Sequence, residues 1–306
     1  MMRLILVPLD GSDFGEHALP AARRLAEREH AELEVVHVAE VFAPSRTQGA
    51  PPLDPRFDED LAADRSAYLA SLADWLRHGA NVTVKATLLE GSAGSTFSEY
   101  VRQHSADLVV MTTHGRGGLS RAWLGSVATE VVRLSCAPVL LIRPAESGSR
   151  SQAAPAFERV LVPLDTSSAQ QEALEHALAL AGPDQPQFTL LHVIRPFVYL
   201  ADREATAYPE EGQMLATAEE YLNDVAERVR ARGFSVQTRI VRHQQPARAI
   251  LEHAEREQVE LIAMETHAHG LVGRLLMGSV ADKVVRGAQM PVLVHRPQAS
   301  PVDEDA

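Results

Sequence analysis

Apolar residues in this chain recur in short runs of four to six, separated by longer stretches with helical spacing. The first run is Leu4–Leu9, followed by Asp-Gly-Ser. Its shortness and the turn residues behind it predict a strand buried on both faces. Over residues 16–28, Ala18, Ala22, Leu25 and Ala26 fall on one face of a helix. A second strand is expected at 33–38, a Pro-rich loop at 40–58, a helix at 60–76 and a third strand at 82–89. Then come a helix at 95–103, a strand at 108–112, a helix at 126–134 and a strand at 139–142. The same order returns with strands at 160–164, 188–193, 236–241, 261–264 and 292–294.

The return is a true repeat. Residues 4–12 read LILVPLDGS and residues 160–168 read VLVPLDTSS, placing Asp10 on Asp165 and His37 on His192. Residues 108–144 align without a gap on 261–297, so that Gly125-Ser126 falls on Gly278-Ser279. Self-similarity over half the length means two copies of one unit. The domains are expected at 1–144 and 157–298. Residues 145–156, rich in Pro, Ser and Ala, read as a linker, and 299–306 as a solvated acidic tail. Strands alternating with helices give right-handed parallel crossovers. The fold class is therefore α/β: two tandem doubly wound domains, each a five-stranded parallel sheet with flanking helices, the strand order being taken as 3-2-1-4-5. Ligands in such sheets sit beyond the carboxyl ends of the strands where the order reverses. That point lies near Asp10 and 112–118 in the first half, and near Asp165 and 265–270 in the second.

Composition narrows the chemistry. A net charge of −12 over 306 residues argues against nucleic acid as a general partner. The opening apolar run is too short for a signal peptide or a membrane span, and no other stretch reaches membrane length, so no membrane association and a cytoplasmic location are expected. The single cysteine, Cys136, allows no disulfide within the chain; it is placed on an apolar helical stretch before a strand and read as core packing.

The most informative motif is Gly115, nine residues, then Gly125-Ser126. Glycine lets backbone approach a phosphate, and a helix opening at Ser126 offers free N–H groups, a favourable dipole and a hydroxyl. The plainer reading makes Gly125 a tight turn and Ser126 an N-cap. Asp10 is open to two roles, ligand contact or turn-forming cap. Arg116 and Arg121 flank the loop, as phosphate partners or as solvated surface charge. His37 and His192 end apolar strands and read as packed or hydrogen-bonded residues. His267-x-His269 lacks a third ligand by sequence, so no metal site is expected. There is no Gly-x-x-x-x-Gly-Lys-Ser/Thr loop, no Gly-x-Gly-x-x-Gly after the first strand and no nucleophile triad.

Val-Pro-Leu-Asp, His-Val, Thr-His-Gly-Arg-Gly-Gly, Leu-Gly-Ser-Val and Pro-Val-Leu, with the glycine spacing above, resemble the universal stress protein family across nearly the whole chain. The resemblance implies an adenine nucleotide site in the first half. Its residues are Pro8, Asp10, Val38, Met111, Thr112, His114, Gly115, Arg116, Gly118, Gly125, Ser126 and Val127. The cofactor implied is ATP, alone or with Mg2+. Thr112 stands where the family has its first motif glycine. In the second half Glu265 and Ala268 replace both leading glycines, leaving Asp165, Val193, Gly278 and Ser279 as weaker candidates. A carboxylate ~6 Å from an anionic ligand costs roughly 3 kcal/mol at an effective dielectric of ~20. The expected function is a cytoplasmic, nucleotide-responsive stress regulator, at most a slow ATPase. The alternative is a nucleotide-independent interaction protein with degenerate sites. The resemblance also implies an intramolecular pseudo-dimer of the two halves through strands 139–142 and 292–294, with a homodimer of whole chains left open.

Overall fold

The computed structural model describes residues 2–40, 55–113, 124–144, 157–166, 171–181, 186–196, 209–266 and 277–297, with side chains from 60 and 212 onward in the second and seventh of these. The chain divides into two compact units, Met1–Ala154 and Pro155–Ala306. The Pro-rich loop before 55, the linker and the acidic tail lie outside the described residues.

In the first unit the elements are β1 (Leu4–Leu9), α1 (Asp13–Glu16), α2 (Leu19–Glu29), β2 (Glu32–Ala39), α3 (Pro55–Arg77), β3 (Val84–Glu90), α4 (Ala93–Gln103), β4 (Leu108–Thr112), α5 (Ser126–Leu134) and β5 (Val139–Ile142). All strand pairs within it are parallel, in the order β3-β2-β1-β4-β5. Ile5, Leu6, Val7, Leu33, Val35, Val36, Val109 and Leu140 are fully buried, as runs apolar at every position require when helices cover both faces. The second unit repeats the plan with β6 (Arg159–Pro163), α6 (Glu172–Ala181), β7 (Gln187–Ile194), α7 (Pro209–Ala231), β8 (Ser235–Arg242), α8 (Pro246–Arg256), β9 (Leu261–Glu265), α9 (Ser279–Gly287) and β10 (Val292–His295). Its order is β8-β7-β6-β9-β10.

One register detail shapes the site. β1 matches β2 over six residues, but β1 meets β4 only at Ile5 and Leu6. Pro8, just beyond, has no N–H with which to extend the ladder. β6 likewise meets β9 only at Val160 and Leu161, short of Pro163. The strands separate at their carboxyl ends, where the strand order reverses.

Three expectations need correction. The helix read over 16–28 is two helices, with Ser12 capping α1 by accepting the Gly15 N–H. Pro20 in the first turn of α2 forbids a continuous helix, because its ring would strike the carbonyl four residues earlier. α3 begins at Pro55 and takes residues assigned to the loop; a proline's fixed φ suits a first helical turn. Cys136 lies past the end of α5 and is only half-buried. Ser135 ends that helix and turns the chain, its hydroxyl bonded to the Ala137 carbonyl and amide.

Candidate functional site

In the first unit Asp10 follows β1 and is half-buried. Its Oδ1 accepts the Ser12 amide at 3.0 Å and the Ser12 hydroxyl at 2.6 Å. Gly11 has φ +76°, which glycine adopts without strain. Gly15 is small for a reason: a Cβ there would stand 2.8 Å from Asp10 Oδ1. Asp10 therefore shapes the turn while Ser12 caps the helix. The division of labour leaves the Asp10 carboxylate held at the crevice. His37 is buried, and its Nδ1–H donates to the Leu9 carbonyl at 2.8 Å. The bond ties the ends of β1 and β2 together and sets Val38, half-buried, beside the crevice.

On the other side, Met111, Thr112 and Thr113 are buried. The Thr113 amide donates to the Ile142 carbonyl at 3.0 Å, and the Gly125 amide donates to the Thr113 carbonyl at 2.8 Å. These bonds fix the start of α5 against the end of β4. Gly125 is the N-cap residue, with no side chain among the described residues capping the helix, and Ser126 is the first helical residue and exposed. The plainer reading of Ser126 as the cap is thus corrected by one position. Gly125 has φ −59° and ψ 157°, open to any residue, so the backbone does not demand glycine there. The uncapped first-turn amides, including those of Ser126 and Val127, and the dipole behind them suit an anion. The buried Thr113 hydroxyl has no hydrogen-bond partner among the described residues, and an orphaned buried hydroxyl is costly unless something completes it. Pro8, Asp10, Val38, Met111, Thr112, Gly125, Ser126 and Val127 thus share the carboxyl edge of one sheet. His114, Gly115, Arg116, Gly118 and Arg121 lie outside the described residues.

The second unit repeats the scaffold. His192 binds the Leu164 carbonyl at 2.8 Å, and the Gly278 amide binds the Thr266 carbonyl at 2.7 Å. Gly278 is again an N-cap without a side-chain bond, Ser279 is exposed and Val193 half-buried. The charges differ. Glu265 takes the place of Thr112 at the strand end, and Asp165 is exposed where Asp10 is half-buried. Burial raises the Tyr221 phenol above its ordinary value, and the Glu265 and Asp165 carboxylates push it the same way against Gln171 and Arg228. The first turn of α9 also carries Asp282, paired with Arg286 at 2.8 Å, where α5 has Thr129. That carboxylate stabilises the helix end and repels an incoming anion. His267, Ala268 and His269 lie outside the described residues. Among the described residues no group of three or more His, Cys, Asp or Glu side chains is placed to hold a metal ion.

Sequence reading passed over Ser12, Gly15, Thr113 and Asp282. The repeat itself held a signal for Asp282, a carboxylate aligned on the neutral Thr129. It held one also for a tether outside the glycine motif: Tyr68 donates to Glu16 at 3.0 Å, and Gln171 donates to Tyr221 at 3.1 Å. Each tether fastens the long helix to the segment that follows the first strand of its unit.

The family profile described as the Universal stress protein family matches residues 1–143 and again 156–296. The chain belongs to the universal stress protein family. A universal stress protein of Mycolicibacterium smegmatis is 28% identical over 304 residues, spanning 96% of this chain and 97% of its own. Universal stress protein MJ0531 of Methanocaldococcus jannaschii is 30% identical over 146 residues, 47% of this chain and 83% of its own. The crystal structure of a universal stress protein from Archaeoglobus fulgidus superposes with a TM-score of 0.71 at 20% identity, covering 96% of this chain and 98% of that one. At that identity the likeness shows the fold alone. No helix among the described residues is long and apolar enough to cross a membrane.

Proposed function

We propose that this universal stress protein binds an adenine nucleotide, ATP alone or with Mg2+, in its first domain, and works in the cytoplasm as a nucleotide-responsive regulator of the stress response. The observation that carries this reading is the start of α5. A glycine-capped helix, with no side chain among the described residues capping its first-turn amides, starts beside a buried threonine hydroxyl that has no partner among those residues, at the carboxyl edge of the sheet that also carries Asp10. No carboxylate stands at position 112 to oppose a phosphate. In the second domain Glu265 and Asp282 favour the alternative, a degenerate site that serves protein interaction without nucleotide. On the same reading the two halves stand in for two subunits.

A regulator needs a nucleotide that favours one of two states of the protein; rapid hydrolysis would work against it. The described residues offer no lysine at the phosphate end, and Asp10 is placed by resemblance at the nucleoside end. Phosphate release from nucleotide-free protein with magnesium should stay well below ~1 s⁻¹. The deciding experiment is calorimetric titration with ATP. It should give about one site per chain, lost in Gly125→Val, where a branched side chain blocks the approach to the amides. Two equal sites, or binding indifferent to that change, would remove the proposal.

A further inference from the structure

Two positions that are apolar in the first domain carry imidazoles in the second. Aligning Asp10 on Asp165 sets Ala21 on His176, and aligning the closing segments sets Ile142 on His295. The two rings meet, with centroids 4.5 Å apart and planes tilted by 50°. His176 lies in α6, and His295 is the last residue of β10 and buried. Glu172, in the first turn of α6, has its Oε2 3.2 Å from His295 Nδ1, yet that nitrogen makes no hydrogen bond among the described residues. The carboxylate is close but out of line with the ring. Other charges around the pair are few. α6 adds Glu175, next to His176, and β9 adds Glu265, the Cα partner of His295. β6 adds only Arg159, bonded to Glu260 at the opposite, amino end of the sheet, and Arg296 follows His295 in the chain.

Neutral rings pack here as two flat, weakly polar groups. A proton puts a charge into a site largely shut off from water, beside a ring that would repel a second one. Burial holds both rings below the ordinary imidazole value, with His176 adding to the effect at His295 and Glu175 opposing it at His176. The new charge meets a counter-ion only if the first turn of α6 brings Glu172 into line, or meets water only if the helix parts from the strand. The strand end is also a support. The His295 carbonyl accepts the Thr266 amide at 2.8 Å, and the Thr266 carbonyl accepts the amide of Gly278, where α9 starts. We propose that the His176–His295 pair is an acid-sensitive latch between α6 and β10, whose protonation loosens that side of the second domain and the start of α9 while the rest of the domain stays folded. The first domain, with Ala21 and Ile142, has no imidazole at either position, and the latch works whether or not nucleotide is bound there. The sign follows from the closed state's weak hold on protons. The closed latch is at full strength above the ordinary imidazole value of about 6.5, and acid below it favours the loosened state. One proton taken up shifts the balance about 10-fold between pH 7.5 and 5.5.

The test is amide hydrogen exchange on the full-length protein without nucleotide at pH 7.5, 6.5 and 5.5, each rate divided by the chemical exchange rate at that pH. Protection over 172–181 and 292–295 should fall about 10-fold from pH 7.5 to 5.5, while 160–162 and 188–191 in the same domain keep theirs, as a local opening requires. His295→Ile with His176→Ala gives the second domain the first domain's residues. That double change should abolish the pH dependence at the latch and leave its protection at pH 7.5 unchanged. His295→Ile alone should shrink the dependence, and it carries the comparison if the double variant folds poorly. Protection at the latch that does not respond to pH overturns the proposal. So does a fall shared equally by all four segments, since that is global unfolding, or a fall that persists undiminished in the variants.

Discussion

At Gly125 folding can be separated from the proposed binding. Its φ and ψ suit any amino acid, so Gly125→Ala should fold, at a cost of no more than ~1 kcal/mol for a poorer cap. A methyl group there still narrows the approach to the first-turn amides. ATP affinity should therefore fall while the thermal unfolding midpoint hardly moves; parallel losses would mean that the glycine is structural. The converse change lies in the second domain, where Glu265→Gln removes roughly 3 kcal/mol of repulsion toward an anionic ligand. A titratable counterpart is buried nearby. His295 is 5% exposed and faces His176, with ring centroids 4.5 Å apart. Glu172 Oε2 lies 3.2 Å from its Nδ1 but off the hydrogen-bond direction. Burial, and then His176, lower the His295 pKa to about 4, against an ordinary value of about 6.5. Burial lowers His176 as well. Below pH 6.5 the unfolded chain binds the proton first. Stability is therefore full above that pH and declines as pH falls toward 4, by at most ~3 kcal/mol and less where water screens the cluster. His295→Ile, the residue at the aligned position 142, should flatten that acid limb in urea melts at pH 7 and 4.5. An unchanged slope would show that the imidazole is not its source.

Among elements, the close pair in each domain is the last two helices. In the first, Gly94 of α4 meets α5, and a Cβ at 94 would come within 2.7 Å of Glu130 Cβ. In the second, the small residue has moved to the other helix: Gly287 of α9 faces Leu251 of α8, where a Cβ would stand 2.6 Å from Cδ1. Gly94→Leu should therefore destabilise the first domain by roughly 1–3 kcal/mol through overpacking, read by chemical denaturation. No loss of stability would mean that the helices can part freely. The strands were legible in the sequence because each is an apolar run found twice; their order was an assumption of the doubly wound plan, and the repeat says only that both halves share it. The junction of α1 and α2 was not, because Ala18, Ala22, Leu25 and Ala26 keep a helical stripe that hides the effect of Pro20. The site divides in the same way. Asp10, Gly125 and Ser126 stand in a spaced pattern, while the Thr113 hydroxyl draws notice only because it has no hydrogen-bond partner among the described residues. No spacing in a sequence reports that.

For the molecule as a whole, the repeat sets the same scaffold twice and the charges make the two copies unequal. If the halves stand in for subunits, residues 1–144 expressed alone should self-associate more strongly than the full chain, as sedimentation velocity would show; equal behaviour would separate this protein from that arrangement. On the proposed reading, the exchange of Thr112 for Glu265 would then set the shape of the equilibrium response to nucleotide. Two identical sites on paired subunits can talk to each other and give a steep response. A chain with one competent site and one repelling site has nothing to cooperate with. Its occupancy follows a plain hyperbola, and passing from one-tenth to nine-tenths filled takes an about 80-fold rise in free nucleotide. Such a protein would follow the free nucleotide as a dimmer does, by degrees, and any switch-like behaviour would have to be added by whatever it binds.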